Sequence, residues 1–306
     1  MHPDLLTIFG FTFGTYGICL AAGLLCASAV ALRRAKRDGI PPQDVMDLIF
    51  YGVIAGIVGS RLAYVVKDLL TDQYLLQHPS EMIFSRTNFV FLGGVLLGLP
   101  VCAFLSRRRG LGFWRVGDVL AAALPLGHAF GRVGCFMAGC CYGAPLPPDS
   151  PFHYLAVHFP ESAPAGSGPV WPVQLMESAG NLAIFLLLLA LWRRRRFNGQ
   201  IALFYILSYG ALRFSLEFLR GDYVERGHFG ALSTSQAIIL AGVISVPFLW
   251  RHLRRAQPIA QKTEAEEASP EGAGPSNGAQ GGPTQPNNGP AGKRRVHKRG
   301  NRMWNR

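Results

Sequence analysis

The residues best suited to chemistry lie in one stretch, His128–Gly143, which reads HAFGRVGCFMAGCCYG. It places one histidine, one arginine and three cysteines at the end of a long apolar run. An arginine in hydrocarbon costs about 2.5–3.5 kcal/mol on insertion scales. A chain that accepts this cost usually has a negative group for the arginine to hold. The stretch therefore predicts a membrane protein with a polar functional site.

Few other ionisable groups interrupt the apolar runs, so each exception is informative. The exceptions are Arg61, Asp118, His128, Arg132, Glu177, Arg213, Glu217 and Arg220. Arg213, Glu217 and Arg220 recur at helical spacing and form one charged stripe. His128 likewise shares a helix face with Arg132.

The arginines outnumber the carboxylates in these runs. Arg213 and Glu217 can neutralise each other inside a helix bundle, which is the simplest interpretation of that pair. Arg61 and Arg132 have fewer acidic partners, so positive charge is left over. An anionic lipid headgroup would balance it, because the planar guanidinium donates two parallel hydrogen bonds to phosphate.

Glycines recur in the same regions and form two groups. The first group is expected to allow close helix packing; it consists of Gly52, Gly56, Gly59, Gly93, Gly94 and Gly98. The second group lies beside the arginine and the cysteines; it consists of Gly131, Gly134, Gly139 and Gly143. There we expect backbone amides to approach a headgroup.

The six cysteines also form two classes. The first class lies in apolar runs as small core residues, namely Cys19, Cys26 and Cys102. Cys135, Cys140 and Cys141 cluster instead, and three interpretations stay open: packing residues, a thiol or disulfide element of an oxidising compartment, or a metal site. The metal interpretation is the least favoured, because Cys-x4-Cys-Cys lacks the usual Cys-x2-Cys spacing.

The composition places these groups in a membrane. Of the 306 residues, 49% are apolar and 16% are charged, whereas a soluble domain carries about 25% charged residues. The apolar runs have the length that a bilayer-spanning helix needs. They predict an all-α, polytopic fold with seven transmembrane helices, at 14–32, 46–66, 88–105, 116–137, 174–192, 201–219 and 232–250.

Basic residues predict the orientation of these helices. Arginines and lysines follow the first, third, fifth and seventh runs, whereas residues 138–173 contain neither. By the positive-inside rule, the N-terminus lies outside and the C-terminus is cytoplasmic. The net charge of +12 is therefore mainly a topology signal, and no nucleic-acid partner is expected.

The chain divides into a predicted membrane core, 1–256, and a tail, 257–306. The tail is rich in Pro, Gly, Asn, Gln, Ser and Glu, so it is expected to be disordered and cytoplasmic. Its basic end is either a solvated tail or a contact with anionic membrane lipids, which contributes about 1 kcal/mol per basic residue near the surface.

Motifs along residues 1–250 resemble the prolipoprotein diacylglyceryl transferases, a family of bacterial inner-membrane enzymes. In chain order they are Tyr16-Gly17, Gly59-Ser-Arg-Leu-Ala-Tyr64, Phe91-Leu-Gly-Gly94, Asp118 with Gly131-Arg-Val-Gly134, Pro172-Val-Gln-Leu-Met-Glu177, Tyr209-Gly-Ala-Leu-Arg-Phe-Ser-Leu-Glu-Phe-Leu-Arg220 and Ser235-Gln236. Each motif alone is weak, but their order and the matching topology make the resemblance specific.

The family's signature is retained only in part. Retained positions are Arg132, Gly134, Phe136 and Gly143. Cys135 and Ala138 replace two signature asparagines, and Cys140 replaces the signature glutamate. Leu92 and Trp171 stand where the family has histidines.

The resemblance implies an enzyme that transfers the diacylglyceryl group of phosphatidylglycerol to the lipobox cysteine thiol of prolipoproteins. The implied catalytic residues are Arg132, Arg213, Glu217, His128 and Tyr16. The implied phospholipid-binding residues are Arg132, Arg61, Arg220, Gly134 and Gly143. His128 is a hypothesis for the general base, because the family's loop histidine is missing. No metal or organic cofactor is implied.

Two other functions stay open. One is a family-derived membrane protein that binds phospholipid headgroups without transferring anything, which the replaced signature residues favour. The other is a membrane thiol-redox protein that uses Cys135, Cys140 and Cys141.

Overall fold

The computed structural model describes residues 4–8, 11–70, 90–221, 228–229 and 232–259. The chain divides into two compact units, Met1–Gln261 and Lys262–Arg306. All described residues belong to the first unit. The predicted tail therefore lies outside the described residues beyond its first three positions.

Seven long helices make up most of the described chain. They are α1 Thr15–Arg37, α2 Pro42–Leu70, α3 Phe91–Arg108, α4 Phe113–Ala138, α5 Val173–Leu191, α6 Gln200–Glu217 and α7 Thr234–Ala256. Each overlaps one predicted span, and the mainly α-helical membrane fold is confirmed. Six are long and apolar enough to cross a membrane; α6, which carries Arg213 and Glu217, is not among them. The count of seven spans and their orientation stay predictions.

Short hairpins and single helical turns lie between the helices. The strands are β1 Asp4–Ile8, β2 Phe11–Gly14, β3 Val157–His158, β4 Pro169–Val170, β5 His228–Phe229 and β6 Leu232–Ser233. They pair antiparallel as β1–β2, β3–β4 and β5–β6. Single 3₁₀ turns occupy His153–Leu155 and Trp192–Arg194.

Helix α4 lies at the centre of the bundle. It is the most buried of the six potential spanning helices. It packs against α1, α5 and α6, whereas α2 packs mainly against α3 and α6 also contacts α7. Its buried face is made of small side chains such as Val119, Ala122 and Ala123, which let neighbouring helices approach closely. The polar C-terminal part of α4 is therefore carried through the middle of the bundle.

Glycines set the close approach of α2 and α3. A Cβ at Gly59 would overlap the Gly93 carbonyl oxygen and lie 2.7 Å from the Leu97 Cβ. A Cβ at Gly94 would lie 2.5 Å from the Ser60 hydroxyl oxygen. These contacts confirm the packing role expected for Gly59, Gly93 and Gly94.

Loops between consecutive helices meet at one end of the bundle. We call this the basic end; it comprises residues 37–42, 108–113 and 191–200. Arg109 contacts Asp44 and Asp47 of α2, each at 2.7 Å. Arg195 pairs with Asp38. The basic end thus holds its loops together by ion pairs between different helices.

Asp118, one turn into α4, is a fully buried carboxylate with a structural role. It accepts hydrogen bonds from the backbone amides of Gly199, at 2.8 Å, and Ala202, at 3.0 Å, where α6 begins. The first amides of a helix lack partners within the helix and attract negative charge. Asp118 therefore caps α6 and ties it to α4.

Candidate functional site

Helix α4 ends in a left-handed turn at Gly139. With a rise of 1.5 Å per residue, the helix is roughly 39 Å long. Gly139 has φ 68° and its amide donates to the Phe136 carbonyl at 3.2 Å. The Cys140 amide donates to the Cys135 carbonyl at 3.1 Å. This is a Schellman motif, in which the chain folds back on the last helical turn. It places Cys140 beside Cys135.

We call this region the cysteine end; it comprises residues 132–144, 171–177 and 213–221. Its three thiols are free, and the Sγ atoms of Cys135, Cys140 and Cys141 all lie within 4.8 Å of one another. Cys141 has φ 59°, an uncommon conformation for a residue with a side chain. The cluster that the sequence suggested is therefore formed, while its purpose stays a prediction.

The thiols differ in their electrostatic surroundings. Hydrogen bonds with Cys135 and Cys140 lower the pKa of Cys141, and the positive charges of Arg132 and Arg220 act in the same direction. Contacts with Cys135 and Cys141 raise the pKa of Cys140. The two arginines therefore favour negative charge on Cys141.

The segment after the turn is fastened to two distant parts of the chain. The Ala144 amide donates to the Leu219 carbonyl at 2.8 Å, and the Ala144 carbonyl accepts from the Trp171 amide at 3.1 Å. Gly143 forms an isolated β-bridge with Arg220. A Cβ at Gly143 would lie 2.5 Å from the Trp171 Cβ and overlap its carbonyl oxygen. Only glycine fits here, and the fastening holds the cysteines against the ends of α5 and α6.

Two arginine–glutamate pairs lie in the interior at this end. The Nη2 atom of Arg132 is 3.0 Å from Oε1 of Glu177 on α5, whose side chain is 1% exposed. Arg213 pairs with Glu217 one turn further along α6, and both are buried. Arg132, which was expected to have fewer acidic partners, therefore has one on another helix. A spacing rule within one helix cannot reveal a partner supplied by another helix.

Positive charge still exceeds negative charge among these side chains. Three arginines, Arg132, Arg213 and Arg220, accompany two glutamates, Glu177 and Glu217, so their formal charges sum to 3 − 2 = +1. Arg213, Arg220 and both glutamates are at most 9% exposed. Guanidinium groups gathered in this way suit an anionic ligand such as phosphate, because the planar fork donates two parallel hydrogen bonds.

Tyr209 connects the arginines to His128. Its ring centroid lies 5.3 Å from that of His128, and its side chain interacts with Arg132 and Arg213. The Nδ1 atom of His128 is 3.0 Å from the Tyr205 hydroxyl. Two tyrosines of α6 thus hold His128 one turn deeper than Arg132. Its role as a general base stays a prediction.

Tyr16 and Gly134 meet where α1 crosses α4. A Cβ at Gly134 would lie 3.1 Å from the Tyr16 ring, so this glycine lets α1 approach the helix that carries Arg132. Arg61 lies on α2, with its guanidinium carbon 5.3 Å from the centroid of the Tyr64 ring. The headgroup contacts predicted for Gly134, Gly143 and Arg61 stay predictions.

Helix α5 carries a row of buried polar side chains, of which the sequence predicts only Glu177. Gln174, Glu177 and Asn181 are at most 1% exposed and share one helix face. The Gln174 amide group donates to the Cys140 carbonyl at 2.9 Å, and that of Asn181 donates to the Glu177 carbonyl at 2.8 Å. Among the described residues, Gln174 Oε1, Glu177 Oε2 and Asn181 Oδ1 have no hydrogen-bond partner. Their spacing of three and four residues is the signal that identifies such a row.

These groups together suit one kind of ligand. The guanidinium groups match a phosphate. The unpartnered acceptor oxygens of α5 match hydroxyl donors, since buried polar atoms normally have partners. The cysteine end is therefore suited to a phosphate ester that carries hydroxyl groups.

Comparison with known proteins agrees with this chemistry. The family model for prolipoprotein diacylglyceryl transferase matches residues 3–251. The chain belongs to this family.

Three relatives named phosphatidylglycerol–prolipoprotein diacylglyceryl transferase show how much of the chain the similarity covers. The Clostridium tetani protein is 31% identical over 247 residues, which is 80% of this chain and 94% of the relative. The Finegoldia magna protein is 33% identical over 244 residues, 78% and 92% of the two chains. The Geobacillus kaustophilus protein is 31% identical over 272 residues, 87% and 96%.

Membership of the prolipoprotein diacylglyceryl transferase family confirms the resemblance based on motifs. Motif residues Tyr16, Arg132, Glu177 and Arg213 come from four helices and lie toward the cysteine end. Asp118, by contrast, lies at the basic end, where it caps α6. Motifs of the transferase family therefore include structural as well as candidate functional residues.

Proposed function

We propose that this protein transfers the diacylglyceryl group of phosphatidylglycerol to the lipobox cysteine of prolipoproteins, the first step of lipoprotein maturation, in the bacterial inner membrane. The observation that carries the proposal is the gathering of Arg132, Arg213 and Arg220 at the cysteine end, next to the acceptor oxygens of α5 that have no hydrogen-bond partner among the described residues. Family membership supports the same reaction, since the relatives are named for it.

The arginines would hold the phosphate that leaves. Arg132 and Arg213 come from different helices and both lie near Tyr209. Their guanidinium groups would stabilise negative charge as it develops on the phosphate, which is preorganised electrostatic catalysis. Glu177 and Glu217 would orient these two arginines through their ion pairs, with Arg61 and Arg220 in support.

The headgroup glycerol gives the acceptors of α5 a ligand. Phosphatidylglycerol carries free hydroxyl groups beside its phosphate, and these are hydrogen-bond donors. Gln174, Glu177 and Asn181 offer buried acceptor oxygens one helix away from the arginines. Tyr16 would add a hydroxyl contact at the start of α1.

The transfer forms one bond and breaks another. The sulfur of the substrate cysteine bonds to the terminal glycerol carbon of the diacylglyceryl group, and the bond from that carbon to the phosphate oxygen breaks. Glycerol-1-phosphate leaves, and the thiol proton passes to it or to solvent. The attacking species is the thiolate, and we assign His128 as the base that takes the proton.

The predicted topology supports a reaction on the outer side. With the N-terminus outside, the cysteine end meets the outer part of the membrane, where secreted precursors emerge. The C-terminal tail, from residue 257, would then lie in the cytoplasm near anionic lipids.

A transfer assay tests the proposal directly. Membranes that lack the host's own enzyme receive radiolabelled phosphatidylglycerol and a lipobox peptide, with the wild type, Arg132→Gln or Arg107→Gln. Arg107 is an exposed arginine at the C-terminal end of α3, so its variant is the matched control. We expect label on the peptide with the wild type and Arg107→Gln, and little with Arg132→Gln.

A second candidate function is headgroup binding without transfer. Cys135, Ala138 and Cys140 at signature positions favour it, because polar groups are replaced there. Wild-type protein that is folded and binds phosphatidylglycerol vesicles, yet puts no label on the peptide, would replace the transferase proposal with this one.

A further inference from the structure

The three thiols of the cysteine end have no part in holding the phosphate. We propose that Cys135, Cys140 and Cys141 bind one zinc ion, and that its fourth coordination position receives the thiol of the substrate cysteine. This inference rests on the proposed transfer, because it names how that thiol is activated.

The sulfur positions suit zinc. Tetrahedral coordination with zinc–sulfur distances of about 2.3 Å separates the ligand sulfurs by about 3.8 Å. The three Sγ atoms already lie within 4.8 Å of one another. Rotations of the cysteine side chains, which move the sulfurs by about 1 Å or less, close the remaining difference.

The fold brings the three cysteines together, although their spacing in the sequence is not typical of a zinc site. Cys-x4-Cys is not a common zinc spacing, but the Schellman turn at Gly139 brings the amide of Cys140 back to the carbonyl of Cys135. Cys141, the next residue, has a left-handed backbone, and its sulfur lies in the same cluster. Such a conformation is uncommon for a residue with a side chain and persists where the surrounding structure imposes it. Here the bonds from Ala144 to Leu219 and Trp171 impose it.

The ligand count matches a catalytic site rather than a closed structural one. Within the described parts of the chain, the group consists of three cysteines, and no histidine, aspartate or glutamate belongs to it. Catalytic zinc sites commonly have three protein ligands and keep a fourth position for water or substrate. A substrate thiol would occupy that fourth position.

The positive charges near the cluster also suit a zinc ion bound by thiolates. Zinc with three thiolates carries a net charge of 2 − 3 = −1, and a fourth thiolate makes it −2. Arg132 and Arg220 both act on Cys141 and would offset this charge. The same arginines would hold the phosphate, so the nucleophile and the leaving group would meet in one place.

The reaction with zinc stays balanced and needs no oxidant. The substrate thiol gives its proton to His128 as it coordinates, because a thiol that binds a metal is deprotonated. Its sulfur then bonds to the glycerol carbon, the carbon–oxygen bond to phosphate breaks, and the proton ends on glycerol-1-phosphate or in solvent. The thioether product is a weaker ligand than a thiolate and leaves the zinc.

Metal content tests the site without reference to activity. Full-length protein purified in detergent without chelators is measured by inductively coupled plasma mass spectrometry. We expect about one zinc per chain in the wild type and in Cys26→Ala, whose exposed thiol lies on α1 outside the cluster. Cys135→Ala, Cys140→Ala and Cys141→Ala should each lose it. A wild type without zinc, or with a disulfide between two of the three cysteines, overturns the proposal.

Cobalt substitution tests the site in the wild-type protein, so the result does not depend on variants that could misfold. Wild-type protein stripped with a chelator and loaded with Co²⁺ should show thiolate-to-metal charge-transfer absorption in the near ultraviolet. The absorption should increase when a lipobox peptide is added and stay unchanged with the same peptide carrying Cys→Ser. No charge-transfer band in the wild type would contradict the site, and no response to the peptide would contradict its open position.

Transfer measured on the same samples separates this inference from the proposed function. Stripping zinc from the wild type should lower transfer about tenfold or more at pH 7, since only a few per cent of a free thiol is ionised there, and added zinc should restore it. Full transfer by zinc-free protein would reject the zinc site and keep the transferase. Bound zinc with no transfer would keep the metal site and reject the transferase.

Discussion

The two ends of the helix bundle differ in how their buried polar groups are hydrogen-bonded. At the basic end, Asp118 uses both carboxylate oxygens to accept backbone amides of α6, and Arg109 bridges two aspartates. At the cysteine end, acceptor oxygens of α5 have no hydrogen-bond partner among the described residues, and Cys141 has a left-handed backbone. The buried carboxylate of the basic end has its hydrogen-bond partners within the protein, whereas buried acceptor oxygens of the cysteine end are suited to a ligand.

Because of this difference, one end of α4 is expected to contribute mainly to stability and the other mainly to the reaction. Near its start α4 carries Asp118, which binds the first amides of α6, and near its end it carries Arg132 and leads into the thiol cluster. Substitutions near its start should change unfolding more than turnover. Substitutions near its end should change turnover more than unfolding.

The largest effect is expected from the Arg132–Glu177 pair. Arg132→Gln should lower transfer about 10²–10³-fold, as the loss of one preorganised donor does in other enzymes. It also leaves Glu177 buried without its partner, which itself destabilises the fold. The double variant Arg132→Gln/Glu177→Gln replaces both charges with neutral side chains of similar size. We expect it to unfold close to the wild-type temperature and still transfer no lipid, as measured by thermal unfolding and labelled transfer.

A double variant that recovers transfer together with stability would contradict this account, because Arg132 would then act only through folding.

The second-largest effect is expected at Asp118 and is a loss of stability. Asp118→Ala leaves the Gly199 and Ala202 amides without their acceptor, which costs about 1–3 kcal/mol. We expect thermal unfolding in detergent several degrees below the wild type, with transfer per folded molecule unchanged. Asp149→Ala, at an exposed loop position, is the control and should unfold like the wild type. An Asp118→Ala protein that is fully stable but inactive would reverse the roles of the two ends.

A third test uses the fastening of the cysteine segment. Gly143→Ala places a Cβ against Trp171, and relieving such overpacking costs about 1–3 kcal/mol. We expect the cysteine segment to loosen, with faster alkylation of its thiols in metal-free protein, measured by mass spectrometry. Gly168→Ala, with open space around its Cβ, should change nothing. Equal alkylation in both variants would show that Gly143 is dispensable.

The smallest effect is expected at Tyr205. Tyr205→Phe removes the hydrogen bond to His128, worth about 0.5–1.5 kcal/mol, so transfer should fall about tenfold at most. His128→Ala, measured in parallel, should fall further if the histidine is the base. Unimpaired transfer by His128→Ala would refute that assignment and leave the base elsewhere.

The helices were predictable because their signals are local. Apolar runs and the basic residues after them depend on neighbours in the chain, and all seven predicted spans overlap helices. The resemblance to the family likewise followed from motifs, and the family match confirms it. The short hairpins β3–β4 and β5–β6 were not predictable from the sequence, because strands of two residues carry almost no periodic signal.

The site was less predictable because its contacts join different helices. Nothing in the spacing around Arg132 points to Glu177 on α5. The spacing Cys-x4-Cys-Cys differs from common metal spacings along the chain, whereas the turn at Gly139 brings Cys135 and Cys140 together in space. The glycine before Cys140 was the available clue, because it marks a helix end where residues five apart meet.

One comparison tests the account most directly: transfer per folded molecule and unfolding temperature, measured side by side for the wild type, Arg132→Gln/Glu177→Gln and Asp118→Ala. We predict that the double variant keeps its unfolding temperature and loses transfer, and that Asp118→Ala unfolds earlier and keeps transfer. Transfer that follows stability in both variants would contradict the central claim that the cysteine end carries the chemistry and the basic end holds the fold.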